Sequence, residues 1–204
     1  MPQQMDEAYA RAEFYWGREP NGLCRQVCEL IPPESARGGR LIDLGAGEGR
    51  DAVRFAAHGF TVTAVDVSLP GLEKATRWAQ EEGLPLETVQ ASILDYRIPR
   101  GCAVVYASGT LHYLPPERRV AVLAQYKDAT APHGVHAFNA FVEKPFIPAP
   151  PDYARDEYFF RSGELLGTYW DWEILFCHEE IFPYRSGGVP HRHALNTLIA
   201  RKTA

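Results

Sequence analysis

A carboxylate, Asp43, stands just ahead of three glycines at alternate positions, Gly45, Gly47 and Gly49, and a second carboxylate, Asp66, follows 23 positions after the first. Glycines so spaced let the main chain turn sharply and approach a ligand that any side chain would push away. A carboxylate at the end of the following strand can accept hydrogen bonds from both hydroxyls of a ribose. The set implies a site for an adenosine-type cofactor. A dinucleotide fingerprint, G-x-G-x-x-G, would need a third glycine where this chain has Arg50, and the run here reads G-x-G-x-G. A turn that opens with a carboxylate also complements an ammonium group better than a pyrophosphate, which wants only donors. A nicotinamide dinucleotide is therefore the weaker fit.

The elements that must hold these residues alternate. A helical N-terminal segment, roughly 5 to 31, precedes a strand at 40 to 44; a helix from about 48 to 57 ends at Gly59; a strand at 61 to 66 leads through Ser68, a good N-cap, into a helix that stops near Gly83. Further strands are expected at 86 to 90, 102 to 107 and 135 to 142, with a helix over 116 to 130 that opens at Pro115-Pro116. Strand-helix-strand repetition predicts a parallel sheet with right-handed crossovers. The segment 143 to 161 is rich in proline and aromatic residues and cannot continue the sheet. Because it leaves the fifth strand at its carboxyl end, it reads as a lid over the site, with a surface connector as the alternative. Beyond it, a short helix capped by Ser162 is followed by strands near 173 to 178 and 192 to 200, joined by a hairpin through Gly187-Gly188.

Composition narrows the classes. At 204 residues and 46% hydrophobic content the chain suits one α/β domain with a sizeable core. A net charge of -5 without a Lys/Arg cluster argues against nucleic acid as partner. No run approaches the roughly 20 apolar residues of a membrane span, and the polar, acidic start is unlike a signal peptide, so a cytoplasmic protein is expected. Cys24, Cys28, Cys102 and Cys177 have no regular spacing and read as reduced packing residues.

Residues 41 to 68, "LIDLGAGEGRDAVRFAAHGFTVTAVDVS", resemble motif I through the second strand of class I S-adenosylmethionine-dependent methyltransferases. The whole chain resembles their tellurite-resistance, TehB-like group, through "FYWG" at 14 to 17, "SGTLHYL" at 108 to 114, "SGELLGTYWDWEIL" at 162 to 175 and "HRHALNTLIARK" at 191 to 202. The resemblance implies a Rossmann-like, doubly wound, mostly parallel seven-stranded sheet with an antiparallel last strand. It makes residues 1 to 204 a single methyltransferase domain with an N-terminal helical flap at 1 to 38 and a lid at 143 to 161. It further implies S-adenosylmethionine as cofactor and S-adenosylhomocysteine as product. The cofactor-binding positions would be Asp43, Gly45, Ala46, Gly47, Arg50, Asp66, Val67, Ser92, Ile93 and Ser108. Members commonly carry an acidic residue after the third strand to hold the adenine amino group; here that position is Ser92, with Asp95 three residues on.

The acceptor side is less defined. In class I enzymes the loop after the fourth strand borders the methyl group, which makes His112 a candidate base or orienting group and Tyr113 a substrate contact; packing under the lid is the alternative for His112. Tyr15 and Trp16 offer aromatic faces that attract a sulfonium and exclude water, or else simply anchor the N-terminus. An antiparallel last strand would gather His178, Glu179, Arg185, His191, Arg192 and His193 near the cofactor. His191 and His193 share a strand face, so with His178 or Glu179 they could bind a metal, contact or deprotonate an acceptor, or hold a hairpin together. Acceptor contact, with His191 catalytic, Arg192 binding substrate and no metal, is the expectation taken forward. The implied reaction is in-line methyl transfer to a small-molecule acceptor such as a metalloid oxyanion, a thiol or a small organic nucleophile, with alignment and a dry site as the protein's main contributions. A noncatalytic S-adenosylmethionine-binding regulator and a nicotinamide-dependent oxidoreductase are the alternatives. Oligomeric state is not readable.

Overall fold

The computed structural model describes residues 2–149, 156–185 and 189–203, without the side chains of 2–4. A seven-stranded sheet forms its centre in the order β3-β2-β1-β4-β5-β7-β6. The strands are β1 (Arg40–Leu44), β2 (Thr61–Asp66), β3 (Leu86–Gln90), β4 (Cys102–Ala107), β5 (Thr130–Val142), β6 (Glu173–Tyr184) and β7 (His191–Arg201). All pairings are parallel except those of β7, which runs antiparallel to both β5 and β6. Seven α-helices cover the described residues: α1 (Pro2–Tyr9), α2 (Gly22–Leu30), α3 (Pro33–Ala36), α4 (Arg50–His58), α5 (Leu69–Glu81), α6 (Pro116–Ala129) and α7 (Glu164–Thr168).

β1 shows why this sheet forms. Leu41, Ile42 and Leu44 are fully buried, and successive side chains point to opposite faces, so a continuous apolar run is what a strand covered on both sides requires. Leu41 packs with Phe55, Val62 and Val104 on the α2/α4 face, and Ile42 and Leu44 pack with Val105, Leu123 and Tyr126 on the α6 face. The strand order reverses between β1 and β4, and ligands of open α/β sheets bind beyond the carboxyl ends at such a point.

Three sequence expectations are corrected. The N-terminal segment is not one helix over 5 to 31: α1 ends at Tyr9, residues 10 to 20 wrap irregularly, and α2 starts after Asn21, whose side chain accepts from the Cys24 N–H. Gly17, at a φ of 71°, and Pro20 stop a helix there. β5 begins five residues early, at Thr130, because Thr130 pairs with Cys102 before the register shift. Ser162 does not cap α7; Gly163 holds that position and the Ser162 hydroxyl instead meets Lys144 and Glu179. The turn through Gly187 and Gly188 and the middle of the segment 143 to 161 lie outside the described residues.

Candidate active site

The glycine run forms the turn between β1 and α4, and each glycine is required. Gly45, Gly47 and Gly49 have φ of 77°, 53° and 83°, where L side chains are strained. A Cβ on Gly45 would lie 2.0 Å from Thr110 Oγ1, on Gly47 2.9 Å from the Tyr9 hydroxyl, and on Gly49 2.5 Å from the Cβ of Ala75. Gly49 therefore lets the start of α4 approach α5 closely, one position before the third glycine of the dinucleotide fingerprint would stand.

Three carboxylates surround this turn. Asp66 accepts from the Gly47 N–H at 2.8 Å and the Ser68 N–H at 2.8 Å. Asp51, near the start of α4, accepts from the Asn21 N–H at 2.9 Å, from Asn21 Nδ2 at 2.5 Å and from the Tyr106 hydroxyl at 2.9 Å. Asp43 is 2% exposed and its Oδ2 has no partner among the described residues. Burial raises the pKa of all three; for Asp43, which goes well above the usual carboxylate range, the charges of Asp51 and Asp66 add to it and Arg50 opposes. A buried acceptor oxygen left without a donor is costly, and a cationic donor would relieve it.

The N-terminal wrap is fastened to the same turn. Glu48 and Lys74, 2% and 6% exposed, form an ion pair of 2.7 Å; Glu48 also accepts from the Tyr15 N–H at 2.8 Å and the Trp16 N–H at 3.3 Å, while Lys74 donates to the Glu13 carbonyl at 2.6 Å. Tyr9, Tyr15 and Trp16 pack edge to face, with Trp16 Nε1 donating to the Tyr9 hydroxyl at 3.0 Å. Tyr15 and Trp16 remain 53% and 44% exposed, so the expected aromatic pair stands at the rim, and buried Tyr9 lies against Gly47 and Gly71.

Of the remaining cofactor-side expectations, Val67 is exposed beside Asp66, with its carbonyl accepting from Gln90. Ser92 opens the turn after β3 and accepts from the Leu94 N–H at 3.2 Å. Ile93 sends its side chain into the core, so only its backbone faces that turn. Arg50 reaches the Trp16 carbonyl at 3.4 Å and stands 3.7 Å from Asp51; Ala46, between the glycines, donates its N–H to Val65.

Across the switch point, the ends of β4, β5 and β7 carry the other group. Ser108 accepts from Asn21 Nδ2 at 2.8 Å and from Asn139 Nδ2 at 3.0 Å, and Asn139 Oδ1 accepts from the Gly109 N–H at 2.6 Å. His112 is 3% exposed, its Nδ1 has no partner among the described residues, and burial lowers its pKa to about 3, aided by His193 and Arg119. Its ring lies 4.3 Å from Tyr113, 5.0 Å from Phe141 and 6.3 Å from Phe159. The Tyr113 hydroxyl donates to Glu157 at 3.3 Å and the Tyr158 N–H to the His112 carbonyl at 2.6 Å, so the far end of the 143–161 segment lies over His112. His191 and His193 do share a face, with their Nε2 atoms 2.9 Å apart, and His193 lies 4.8 Å from Phe141.

The gathering expected along the last two strands is only partly present. His178 stands opposite Thr197, four positions along β7 from His193, about 13 Å away at strand rise, and Glu179 is committed to Lys144 and Ser162. The reason is register: β6 extends to Tyr184, so its sheet-edge residues are Phe182 to Tyr184. Arg192 alternates to the face opposite His191 and His193 and is exposed, so it does not join them; Arg185 is exposed beyond β6. Among the described residues no group of His, Cys, Asp and Glu has a metal-binding arrangement. Asn21, Glu48, Asp51, Lys74 and Asn139 were not singled out by sequence. Only Asn21, a capping residue ahead of the Gly22-Leu23 helix start, carried a local signal.

With this geometry in place, comparison with known proteins is informative. The family described as methyltransferase domain matches residues 41–134. The probable S-adenosyl-L-methionine-dependent methyltransferase TehB of Haemophilus influenzae (strain ATCC 51907 / DSM 11121 / KW20 / Rd) is 24% identical over 202 residues, covering 95% of this chain and 68% of that protein. The crystal structure of TehB from Haemophilus influenzae superposes with a TM-score of 0.79 at 20% identity, covering 99% of this chain and 67% of that one. A 1,6-didemethyltoxoflavin-N1-methyltransferase from Burkholderia thailandensis, solved with its substrate and S-adenosylhomocysteine, gives a TM-score of 0.65 at 23% identity over 90% of this chain and 79% of that one. No helix among the described residues is long and apolar enough to cross a membrane. The glycine turn, the strand order, the methyltransferase-domain match and these relatives together show an S-adenosylmethionine-dependent methyltransferase that is similar to the class I enzymes of the TehB-like group.

Proposed function

We propose that the chain methylates a small-molecule acceptor held at the carboxyl edge of β4, β5 and β7, and that Asp43, Gly45, Ala46, Gly47, Arg50, Asp66, Val67, Ser92 and the Ile93 backbone hold the cofactor beside it. The observation that carries this reading is the orphaned, buried Asp43 oxygen at a turn whose glycines admit no Cβ. Asp66, already ordered by two N–H donors, keeps lone pairs for the ribose hydroxyls, and Asp43 supplies the acceptor for the ammonium. When bound, S-adenosylmethionine supplies a methyl group on a sulfonium whose thioether leaving group needs no acid. The chain's own residues align the nucleophile and exclude water, which in good cases lowers a barrier by about 7 to 11 kcal/mol.

His112, pressed toward neutrality, is a weak base and orients the acceptor through its free Nδ1. His191 stands at the rim with Nδ1 on the Val189 carbonyl and Nε2 on His193, so it acts on turnover by holding that rim in place, and a proton from a protonated acceptor leaves to water. Tyr113 lines the same side, and Tyr15 and Trp16 close the rim. The test is a screen that follows S-adenosylhomocysteine release over tellurite, selenite, thiols and phenols, together with calorimetry of cofactor binding. Asp66→Ala should weaken cofactor binding severely, and His191→Ala should leave it nearly intact while lowering turnover. A wild-type chain that gives no binding heat with S-adenosylhomocysteine would overturn the reading.

A further inference from the structure

The hydrogen bonds around Ser108 can be counted to completion. Asn21 spends both Nδ2–H groups, on Asp51 and Ser108, while its Oδ1 accepts from the Cys24 N–H and shares the single Tyr106 O–H with Asp51. Ser108 Oγ accepts from Asn21 and from Asn139, which fills both of its lone pairs and leaves its single O–H to donate. Asn139 uses one Nδ2–H on Ser108 and its Oδ1 on the Gly109 N–H, so its second Nδ2–H has no partner among the described residues. Two oriented, neutral donors therefore stand side by side at the end of β4 and β5. Space is open there, since a Cβ on exposed Gly109 would meet nothing within 4 Å.

What surrounds these donors limits what they receive. Asn139, Phe141, His191 and His193 lie on one face of β5 and β7, and Phe141 and Phe159 are 5.6 Å apart, tilted by 41°. Among the described residues, the neighbouring cations already have partners. Arg119 donates to Leu114, Tyr158 and Phe159 carbonyls and to Glu164 while stacked 3.8 Å over Phe160, Lys144 is held by Glu179 and Ser162, and Arg50 by Asp51 and the Trp16 carbonyl. Among the described residues an oxyanion here would find neutral donors and aromatic walls without an unpartnered cation, a poor exchange for its hydration shell. A flat ring with a carbonyl oxygen fits both features: its face meets the aromatic wall and its oxygen takes the two donors.

We propose that Ser108 and Asn139 form the acceptor-recognition site, and that it selects an uncharged, planar heteroaromatic whose methyl-accepting hydroxyl or N–H stands beside a ring carbonyl. This rests on the methyltransferase reading above and moves Ser108, expected on the cofactor side, to the acceptor side. The acceptor oxygen or nitrogen forms its bond to the methyl carbon as the carbon–sulfur bond breaks; the electron pair stays on sulfur and the acceptor's proton leaves to water.

Three probes separate the alternatives: 3-hydroxyquinolin-2-one, 2-naphthol, which keeps the fused rings and hydroxyl without the carbonyl, and tellurite. Calorimetry on the S-adenosylhomocysteine complex should show the quinolone binding at least about tenfold more tightly than naphthol, and it should support faster S-adenosylhomocysteine release from S-adenosylmethionine than either alternative. Ser108→Ala and Asn139→Ala should each weaken quinolone binding about fivefold to tenfold, with S-adenosylhomocysteine affinity within about twofold, and Ser108→Thr should restore it. Retained S-adenosylhomocysteine binding shows that the variants fold. Equal binding of naphthol, preference for tellurite, absence of quinolone binding, or a parallel fall in S-adenosylhomocysteine affinity would each overturn the proposal. In all these outcomes the wild-type chain still binds S-adenosylhomocysteine, whereas failure of that binding would sink the methyltransferase reading itself.

Discussion

Asp43 shows how one residue can trade stability for binding. Its folded pKa is raised above that of an unfolded aspartate, near 4, so the folded chain without cofactor takes up a proton there more readily than the unfolded chain. The stability this gives is fully present below about pH 4 and is lost as pH rises through the raised folded value. Asp51 and Asp66 shift in the same direction and act with the same sign. Replacing Asp43 by Asn keeps the shape and removes the buried charge. Asp43→Asn should therefore raise the melting temperature of the cofactor-free protein at pH 8 more than at pH 5, and weaken S-adenosylmethionine about 10- to 100-fold, the range of a lost charge-assisted hydrogen bond. Thermal melts at the two pH values and calorimetry check both halves; unchanged affinity would remove Asp43 from the ammonium contact. At the glycines the constraint is steric. Gly45→Ala places a methyl 2.0 Å from Thr110 Oγ1 on a left-handed backbone, and a chemical-denaturation loss of about 1 to 3 kcal/mol is expected.

At the scale of elements, the buried Glu48–Lys74 ion pair is one of the contacts that fasten the wrap from residue 10 to 20, alongside Phe14 on Trp78 and Arg18 with Glu81. Lys74→Met would leave Glu48 buried with only the Tyr15 and Trp16 N–H groups, and breaking one side of a buried pair typically costs about 3 to 5 kcal/mol. Part of that strain is relieved by releasing the wrap, so hydrogen exchange at Tyr15 and Trp16 should accelerate while the β1 and β4 amides stay protected. The double variant Glu48→Gln with Lys74→Met should recover most of the lost stability; a deficit equal to the single variant would mean the pair is not what fastens the wrap. The same elements separate what was legible in sequence from what was not. β1, β2, β3, β4, α4 and α5 followed from local signals: buried aliphatic runs, the glycine turn, and Ser68 at an N-cap. Glu48 sits within the legible motif, yet its partner Lys74 is 26 residues away and the amides it receives are 32 and 33 residues away. Asn21 and Ser108 meet across 87 positions. Periodicity reports which face of an element is apolar and says nothing about which distant polar group will complete a hydrogen bond. The failed gathering of His178 with His191 has the same origin, since it turned on where β6 ends against β7.

At the scale of the whole molecule, the strand order does the dividing. The reversal between β1 and β4 puts the carboxylate-lined turn on one side and the Ser108, Asn139 and His112 group on the other, joined by Asn21, which bonds Asp51 on the first side and Ser108 on the second. Thr110, in the loop after β4, packs on Gly45 and completes the seam. A cofactor bound at this seam as proposed would touch elements contributed by both halves of the sheet and by the N-terminal wrap, so binding should stabilise the molecule as a unit. At about 100 times its dissociation constant a ligand adds about 2.7 kcal/mol, which for a chain of this length corresponds to roughly 5 to 10 °C in melting temperature. S-adenosylhomocysteine at saturation should produce that shift and slow hydrogen exchange in both the Gly45 to Arg50 turn and residues 10 to 20; NAD at the same concentration should produce neither. A shift confined to the turn, with the wrap unaffected, would show that the N-terminal segment closes over the site independently of the cofactor, because a wrap coupled through Glu48 to the glycine turn has to share in whatever orders that turn.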